Sequence, residues 1–231
     1  MVPAATVVPL REERDGLEVL LLRRNSRGAF GGMWVFPGGK VDQADSVQPA
    51  GDPPGEGDLG TGSPAEIAAA RRAAVREAKE EADLDLDESS LVTHSFWLPP
   101  PEAPRRFATW FFLAPAGGEI VVDQGEIHEH RWLAPVEAMA ARDSGEIELA
   151  PPTFMTLWWL STKKTVAEAI SEAAAREPER FQTRVALDGS GRLAATMWAG
   201  DAGYADGDLQ RPGPRRRMWM TAGGWRVEVD G

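Results

Sequence analysis

The sequence predicts an α/β fold on three observations. Two strand-like runs at residues 4–10 and 17–23 flank a charged turn. An alanine-rich helix with a proline-marked start covers 63–82. Strand and helix patterns then alternate again from residue 107 onward.

Residues 4–10 and 17–23 are rich in valine and leucine, and Arg11-Glu12-Glu13-Arg14-Asp15-Gly16 between them cannot be buried, so the pair reads as a hairpin. The polar, glycine-containing segment 25–32 leads into Met33-Trp34-Val35-Phe36, a short apolar strand that stops at Pro37-Gly38-Gly39. From 43 to 62 the chain is almost wholly Asp, Gly, Pro, Glu, Ser and Ala, with Val47 and Leu59 the only large aliphatics. Such a stretch cannot bury enough apolar area to offset the entropy of ordering it, which predicts a mobile surface insertion.

Ser63-Pro64-Ala65-Glu66 has the form of a helix start: Ser63 as N-cap, Pro64 at the first helical position, and Glu66 placed to complete a capping box. Ile67, Ala70, Ala74 and Ala78 supply a narrow apolar stripe for close packing. Further on, 107–113 reads as a buried strand and 119–123 as a short one, and 130–133 runs into a helix over 135–141. Helices are expected at 153–160 and 166–175, and strands at 184–187, 193–198, 217–220 and 225–229. There is no internal repeat. The expected organisation is a core over residues 1–150, interrupted by the 43–62 insertion. A helical and β extension over 151–231 would pack on that core or on a partner in a homodimer.

The chain has 231 residues, 42% of them hydrophobic, and a formal net charge of -11. That charge argues against a nucleic-acid backbone or an anionic membrane as partner, since both would be repelled over most of the surface. Phosphate can still be met locally, through recruited cations or through Arg23, Arg24, Arg105 and Arg106. With no cysteine, disulfides, thiolate nucleophiles and cysteine zinc sites are excluded. The first 22 residues lack a basic start followed by an apolar run, so no export signal is expected and the cytoplasm is the default location. Apolar runs fall far short of the roughly 20 residues a membrane helix needs.

Chemistry is concentrated in Arg76-Glu77-Ala78-Lys79-Glu80-Glu81. The i, i+3, i+4 spacing puts Glu77, Glu80 and Glu81 on one helix face, where like charges cost about 0.2–0.5 kcal/mol per pair. They also oppose the helix dipole. One reading is a solvated glutamate-rich face. The other is a cation site, because a hard divalent ion bound through a few carboxylates plus substrate phosphates relieves this repulsion. The preceding Phe36-Pro37-Gly38-Gly39-Lys40-Val41-Asp42 favours the second, since paired glycines at a strand end allow close backbone approach to a ligand.

Together these segments resemble the Nudix box: Gly, five residues, Glu, seven residues, then Arg-Glu-U-x-Glu-Glu-x-Gly-U, with U aliphatic. Gly39 fits the first glycine, and residues 76–84 fit the second half at all but one fixed position. Two departures stand out. Asp45 occupies the place of the first glutamate, followed by an insertion of about 23 residues. Asp83 replaces the glycine near the helix end, where aspartate tolerates the left-handed conformation better than most residues.

The resemblance implies an α/β/α sandwich on a mixed sheet and hydrolysis of a phosphoanhydride in an organic diphosphate. It implies Mg²⁺ or Mn²⁺ bound by Glu77, Glu80, Glu81 and the Gly38 carbonyl, with Arg76 orienting the carboxylates. Glu80 and Glu81 are candidate bases within the helix. In Gly125-Glu126-Ile127-His128-Glu129-His130-Arg131-Trp132-Leu133, which resembles the family's segment before its last core helix, Glu126 is the preferred loop acid. Arg23, Arg106 and His128 are candidate substrate contacts. Segment 28–42, Arg105-Arg106-Phe107 and the broken box look most like the coenzyme A diphosphatase branch, suggesting coenzyme A or acyl-coenzyme A as substrate. A non-catalytic nucleotide-binding sensor is the alternative.

Two further patterns admit more than one reading. His128 and His130 alternate with Glu129, but only His94 remains as a third histidine, too few for a dedicated zinc site. Of nine tryptophans, Trp158, Trp159, Trp198, Trp219 and Trp225 lie after residue 150, as a stacking platform or as a second hydrophobic layer or dimer surface. Arg215-Arg216-Arg217 reads either as a phosphate site or as a solvated turn.

Overall fold

A computed structural model describes residues 1–14, 16–25, 31–46 and 59–230. The two N-terminal runs form strands β1 (Val2–Glu13) and β2 (Gly16–Arg24), an antiparallel hairpin in which Leu10 faces Val19 and Glu13 faces Gly16. Gly16 takes the positive φ of 119° that a tight reversal needs. Then follow β3 (Trp34–Val35), β4 (Gly38–Lys40), α1 (Pro64–Ala82), β5 (Val92–Leu98), β6 (Phe107–Pro115) and β7 (Ile127–Leu133). Helices α2 (Pro135–Asp143), α3 (Pro151–Leu160) and α4 (Val166–Ala174) lead to β8 (Glu179–Gln182). The chain closes with β9 (Arg184–Leu187), β10 (Leu193–Met197), β11 (Arg216–Thr221) and β12 (Gly224–Val229).

The main sheet runs β3-β2-β1-β6-β5-β8, with β4 on β1 and β7 on β2. It is mixed, because β1–β6 and β5–β8 pair in parallel and the rest antiparallel. Alternation along the strands divides the core into two layers. Ala5, Val7, Leu20, Leu22 and Phe112 face α1, where Ala70, Ala73, Ala74, Ala78 and Ala82 let the helix lie close to the sheet. Val8, Leu10, Val19, Leu21 and Leu113 face the opposite way, onto Ala138 of α2, Phe154, Leu157 and Leu160 of α3, and Ala169 and Ala173 of α4. This is the α/β/α sandwich expected. Among the described residues no helix is long and apolar enough to cross a membrane.

Residues 151–231 supply α3, α4 and β8 to this sandwich, and then a second, antiparallel sheet in the order β12-β11-β10-β9. Tryptophans from both sides build the layer between the two sheets. Trp198 is fully buried and donates to Thr183, Trp97 stacks on Phe181 at 4.0 Å, and Trp225 meets Phe154 edge-on at 5.2 Å.

Several elements differ from expectation. Residues 119–123 form no strand; Val121 donates its N–H to the carbonyl of Ala82, so this segment closes the end of α1 instead of joining the sheet. The run at 130–133 belongs to a full strand, β7. Strands β4, β5 and β8 were not anticipated: β4 is mostly glycine, β5 is broken by a register shift between Thr93 and Ser95, and β8 is four largely polar residues. Of the 43–62 stretch expected as a mobile insertion, 47–58 lie outside the described residues, and both ends are folded. Gln43–Asp45 form a 3-10 turn with Asp45 buried, and Gly60 is buried.

Helix α1 starts at the Ser63 cap, whose Oγ accepts the Glu66 N–H at 3.2 Å. The second half of the capping box does not form. The Glu66 carboxylate accepts instead from Gly60 N–H (2.6 Å), Gly62 N–H (2.9 Å), Thr61 Oγ1 (3.0 Å) and Trp110 Nε1 (2.9 Å). At the other end Asp83 takes the left-handed conformation at φ 52°. Its N–H reaches Lys79 O, and Lys79 Nζ lies 2.6 Å from its carboxylate.

Candidate active site

Helix α1 crosses the sheet so that its last two turns meet the edge of β4. Gly38 stands opposite Thr6 of β1, yet its N–H turns away from β1 to donate to Glu81 Oε2 at 3.0 Å. The N–H and C=O of one strand residue point to the same side, so the Gly38 carbonyl shares this edge. Space requires a glycine at 38, and a side chain at 39 would displace the Glu77 carboxylate. A Cβ on Gly39 would stand 2.4 Å from the Glu77 carboxylate, and one on Gly38 would stand 2.5 Å from Ala5 O.

Two arginines divide the acidic groups. Arg76 reaches Glu77 (2.8 Å) and Glu80 (3.1 Å) with Nη1, and Asp45 (3.0 Å) and the Lys40 carbonyl (3.0 Å) with Nη2. Its Nε adds a second Asp45 contact at 3.3 Å. The Asp45 backbone carbonyl in turn accepts from Arg72 Nε at 2.6 Å. Asp45 is thus the buried acid that seats Arg76, and its hydrogen bond is the foremost reason the guanidinium is held above its ordinary pKa.

On the other side Arg24, at the end of β2, donates to Glu81 (2.9 Å) and Glu126 (2.5 Å). Glu126, the loop acid expected from the sequence, stands just before β7. Asp123 accepts the N–H groups of Glu126 (3.0 Å) and Ile127 (2.8 Å), and Asn25 N–H donates to the Glu126 carbonyl at 2.7 Å. Gln124 in the same loop adopts a positive φ of 59°.

Burial, more than crowding, shifts the ionisation of Glu81 and Glu77. Burial pushes the Glu81 carboxyl up to about 7; the Gly38 N–H and Arg24 pull it down, while the charges of Glu77 and Glu126 push it further up. Burial also raises Glu77, against Arg76, with Glu80 and Glu126 adding to the rise. Among the described residues no three acidic or histidine side chains stand as a ready ligand set for a metal. Each of the four carboxylates is turned onto Arg76 or Arg24 instead. The donor set still fits a hard divalent cation: it is all oxygen, drawn from a helix, a loop and a strand edge, and its members repel one another where they stand.

Of the expected substrate contacts, Arg23 points away from the cluster, exposed, and pairs with Glu129 at 3.4 Å. Neighbouring strand residues face opposite ways, so Arg24 and not Arg23 reaches the carboxylates. Arg106 immediately precedes β6, its carbonyl accepting Val2 N–H and its Nε buried without a hydrogen-bond partner. His128 is exposed at the bulge of β7, beside Ile127, which pairs with Arg24. The third histidine, His94, is buried against Trp159 at 4.5 Å and Arg176 at 3.1 Å, with no part in this cluster.

Two arginines of the tail run are already paired with acids inside the protein. Arg217 is fully buried, held bidentately by Asp201 at 2.6 and 2.7 Å, and Arg216 pairs with Glu179 at 3.1 Å.

Residues 54–153 match the family model described as the NUDIX domain. Among solved structures the chain resembles a NUDIX hydrolase from Alicyclobacillus acidocaldarius, at 23% identity over 74% of this chain and 96% of the other, with a TM-score of 0.59. That likeness establishes a shared fold. Other matches are a MutT NUDIX hydrolase from Burkholderia pseudomallei (21% identity, 68% and 95% covered, TM-score 0.45) and the NUDIX domain of Shewanella oneidensis NrtR complexed with ADP ribose (14% identity, 68% and 84% covered, TM-score 0.49). No curated protein sequence matches significantly.

Proposed function

We propose that the chain, of which residues 54–153 match the NUDIX domain model, is a pyrophosphohydrolase that cleaves a phosphoanhydride bond in an organic diphosphate with Mg²⁺ or Mn²⁺. The observation that carries this reading is the gathering of Glu77, Glu80, Glu81 and Glu126, from helix and loop, at the Gly38–Gly39 edge.

Glu77, Glu80, Glu81 and the Gly38 carbonyl would hold the cation. When bound, it supplies charge neutralisation at the phosphate oxygens and a more acidic water. Arg76, seated by buried Asp45, keeps the helix carboxylates aimed together. Glu126 would take the proton of the attacking water. Its side chain is 66% exposed, and the Asp123 and Asn25 contacts fix the position of its backbone. The substrate is proposed as coenzyme A or acyl-coenzyme A, on the resemblance of segment 28–42 and the interrupted motif to that branch.

The test is hydrolysis of a panel of diphosphates by the purified protein with Mg²⁺ or Mn²⁺, including coenzyme A, ADP-ribose and dinucleotides. Metal-dependent turnover of at least one member, abolished by chelation, is expected. No turnover of any member, with tight binding of an unchanged ligand, would support a nucleotide sensor instead.

A further inference from the structure

Arg24 and Arg76 look alike in sequence but are held differently. If Glu77 and Glu80 turned to a cation, Arg76 would keep both oxygens of buried Asp45 and the Lys40 carbonyl. Arg24 has no such reserve. Its guanidinium bonds only Glu81 and Glu126 among the described residues, the two carboxylates that a cation and a water would claim. Its backbone meanwhile is pinned, with N–H to Met33 O at 3.1 Å and C=O accepting Gly32 N–H at 3.2 Å, so a fixed base carries an exchangeable charge.

We propose that Arg24 stands in for the cation and is a binding residue for the substrate's diphosphate. Here it holds Glu81 and Glu126 together; with an ion on Glu81 and a water on Glu126, its guanidinium would be released to pair with the substrate's diphosphate. This rests on the metal-dependent reading above. A side chain only 22% exposed does not stay unpaired without cost, and the anion that arrives with the ion is a diphosphate, whose oxygens match the planar guanidinium fork.

The proposal makes two effects of one residue run in opposite directions. Removing Arg24 removes a competitor for the carboxylates, so Mn²⁺ alone should bind more tightly. It also removes a phosphate partner, so a diphosphate should bind more weakly to the Mn²⁺-loaded protein. Wild type, Arg24→Gln and Arg24→Lys are titrated with Mn²⁺ by electron paramagnetic resonance, then, at saturating Mn²⁺, with methylenediphosphonate by calorimetry. For Arg24→Gln we expect Mn²⁺ affinity up by about fivefold and diphosphonate affinity down by about tenfold, the order of one charge-assisted contact. Arg24→Lys keeps a point charge without the two-ended bridge, and should show the Mn²⁺ gain with a smaller diphosphonate loss. It decides the matter if Arg24→Gln does not fold. A wild type that binds Mn²⁺ while the variants match it, or lose affinity for both ligands together, overturns the role given to Arg24. Failure of all three proteins to bind Mn²⁺ overturns the metal-dependent reading beneath it.

Discussion

Asp45 and Arg76 lie 31 residues apart in sequence, yet their side chains meet at 3.0 and 3.3 Å, with the Asp45 side chain almost wholly buried. The pair spans the interruption of the motif and joins its halves. Asp45→Asn should therefore loosen Arg76 and with it Glu77 and Glu80. Breaking a buried pair costs about 3–5 kcal/mol. Arg76 is 28% exposed, so a loss of about 2–3 kcal/mol is expected after solvent screening. Urea unfolding measures this, and an unchanged midpoint would show that the pair does not bridge the motif.

Gly39→Ala tests the strand edge. Its Cβ would enter the space 2.4 Å from the Glu77 carboxylate, so that group must move. Misplacement by about 1 Å costs on the order of 100-fold in rate, which should appear in kcat with a smaller change in stability. Steady-state kinetics beside thermal melting separates the two.

Glu126→Gln removes the loop acid while keeping its shape. If Glu126 takes the proton of water, kcat should fall by about 100-fold or more while Mn²⁺ still binds. Full activity in this variant would move the base to Glu80 or Glu81.

His94 predicts an acid limit to stability away from the active site. Burial, then the nearby charges of Arg176 and Lys163, lower its pKa to about 3 from 6.5. The unfolded chain therefore binds a proton that the folded chain refuses between these values, and stability falls as pH drops below 6.5. By pH 5 the loss attributable to His94 should be on the order of 2 kcal/mol. Arg176 is itself paired with Glu179, and Lys163 with Glu172, so both charges persist over this range. His94→Gln should flatten the difference in urea midpoints between pH 7.5 and 5; parallel curves would count against the assignment.

Asp201 and Arg217 form a fully buried pair that anchors β11 to the turn after β10. Asp201→Ala strands a buried guanidinium and should cost about 3–5 kcal/mol. KM for the diphosphate should not change at a temperature where the variant is folded. An unchanged urea midpoint in Asp201→Ala would show that the pair does not anchor β11.

By itself the sequence determined the local features. Hydrophobic runs and a charged turn specify the β1–β2 hairpin. Ser63, Pro64 and the alanines specify α1, and helical spacing alone puts Glu77, Glu80 and Glu81 on one face. These depend on neighbours within a turn or a strand, where periodicity and steric preference act directly.

Long-range partnerships were decided only by the tertiary structure. Sequence does not say which face of β2 meets α1, so Arg23 and Arg24 looked equivalent until the register turned one to Glu129 and the other to Glu81. Nor does it show that Asp45 would be buried on Arg76, that Glu66 would leave its cap for Gly60 and Trp110, or that Arg217 would lie in the core beside Asp201. Strands β4 and β8 carry almost no apolar signal of their own. They are strands because β1 and β5 offer them unpaired backbone groups, and burying such groups without hydrogen bonds costs more than a weak propensity can oppose.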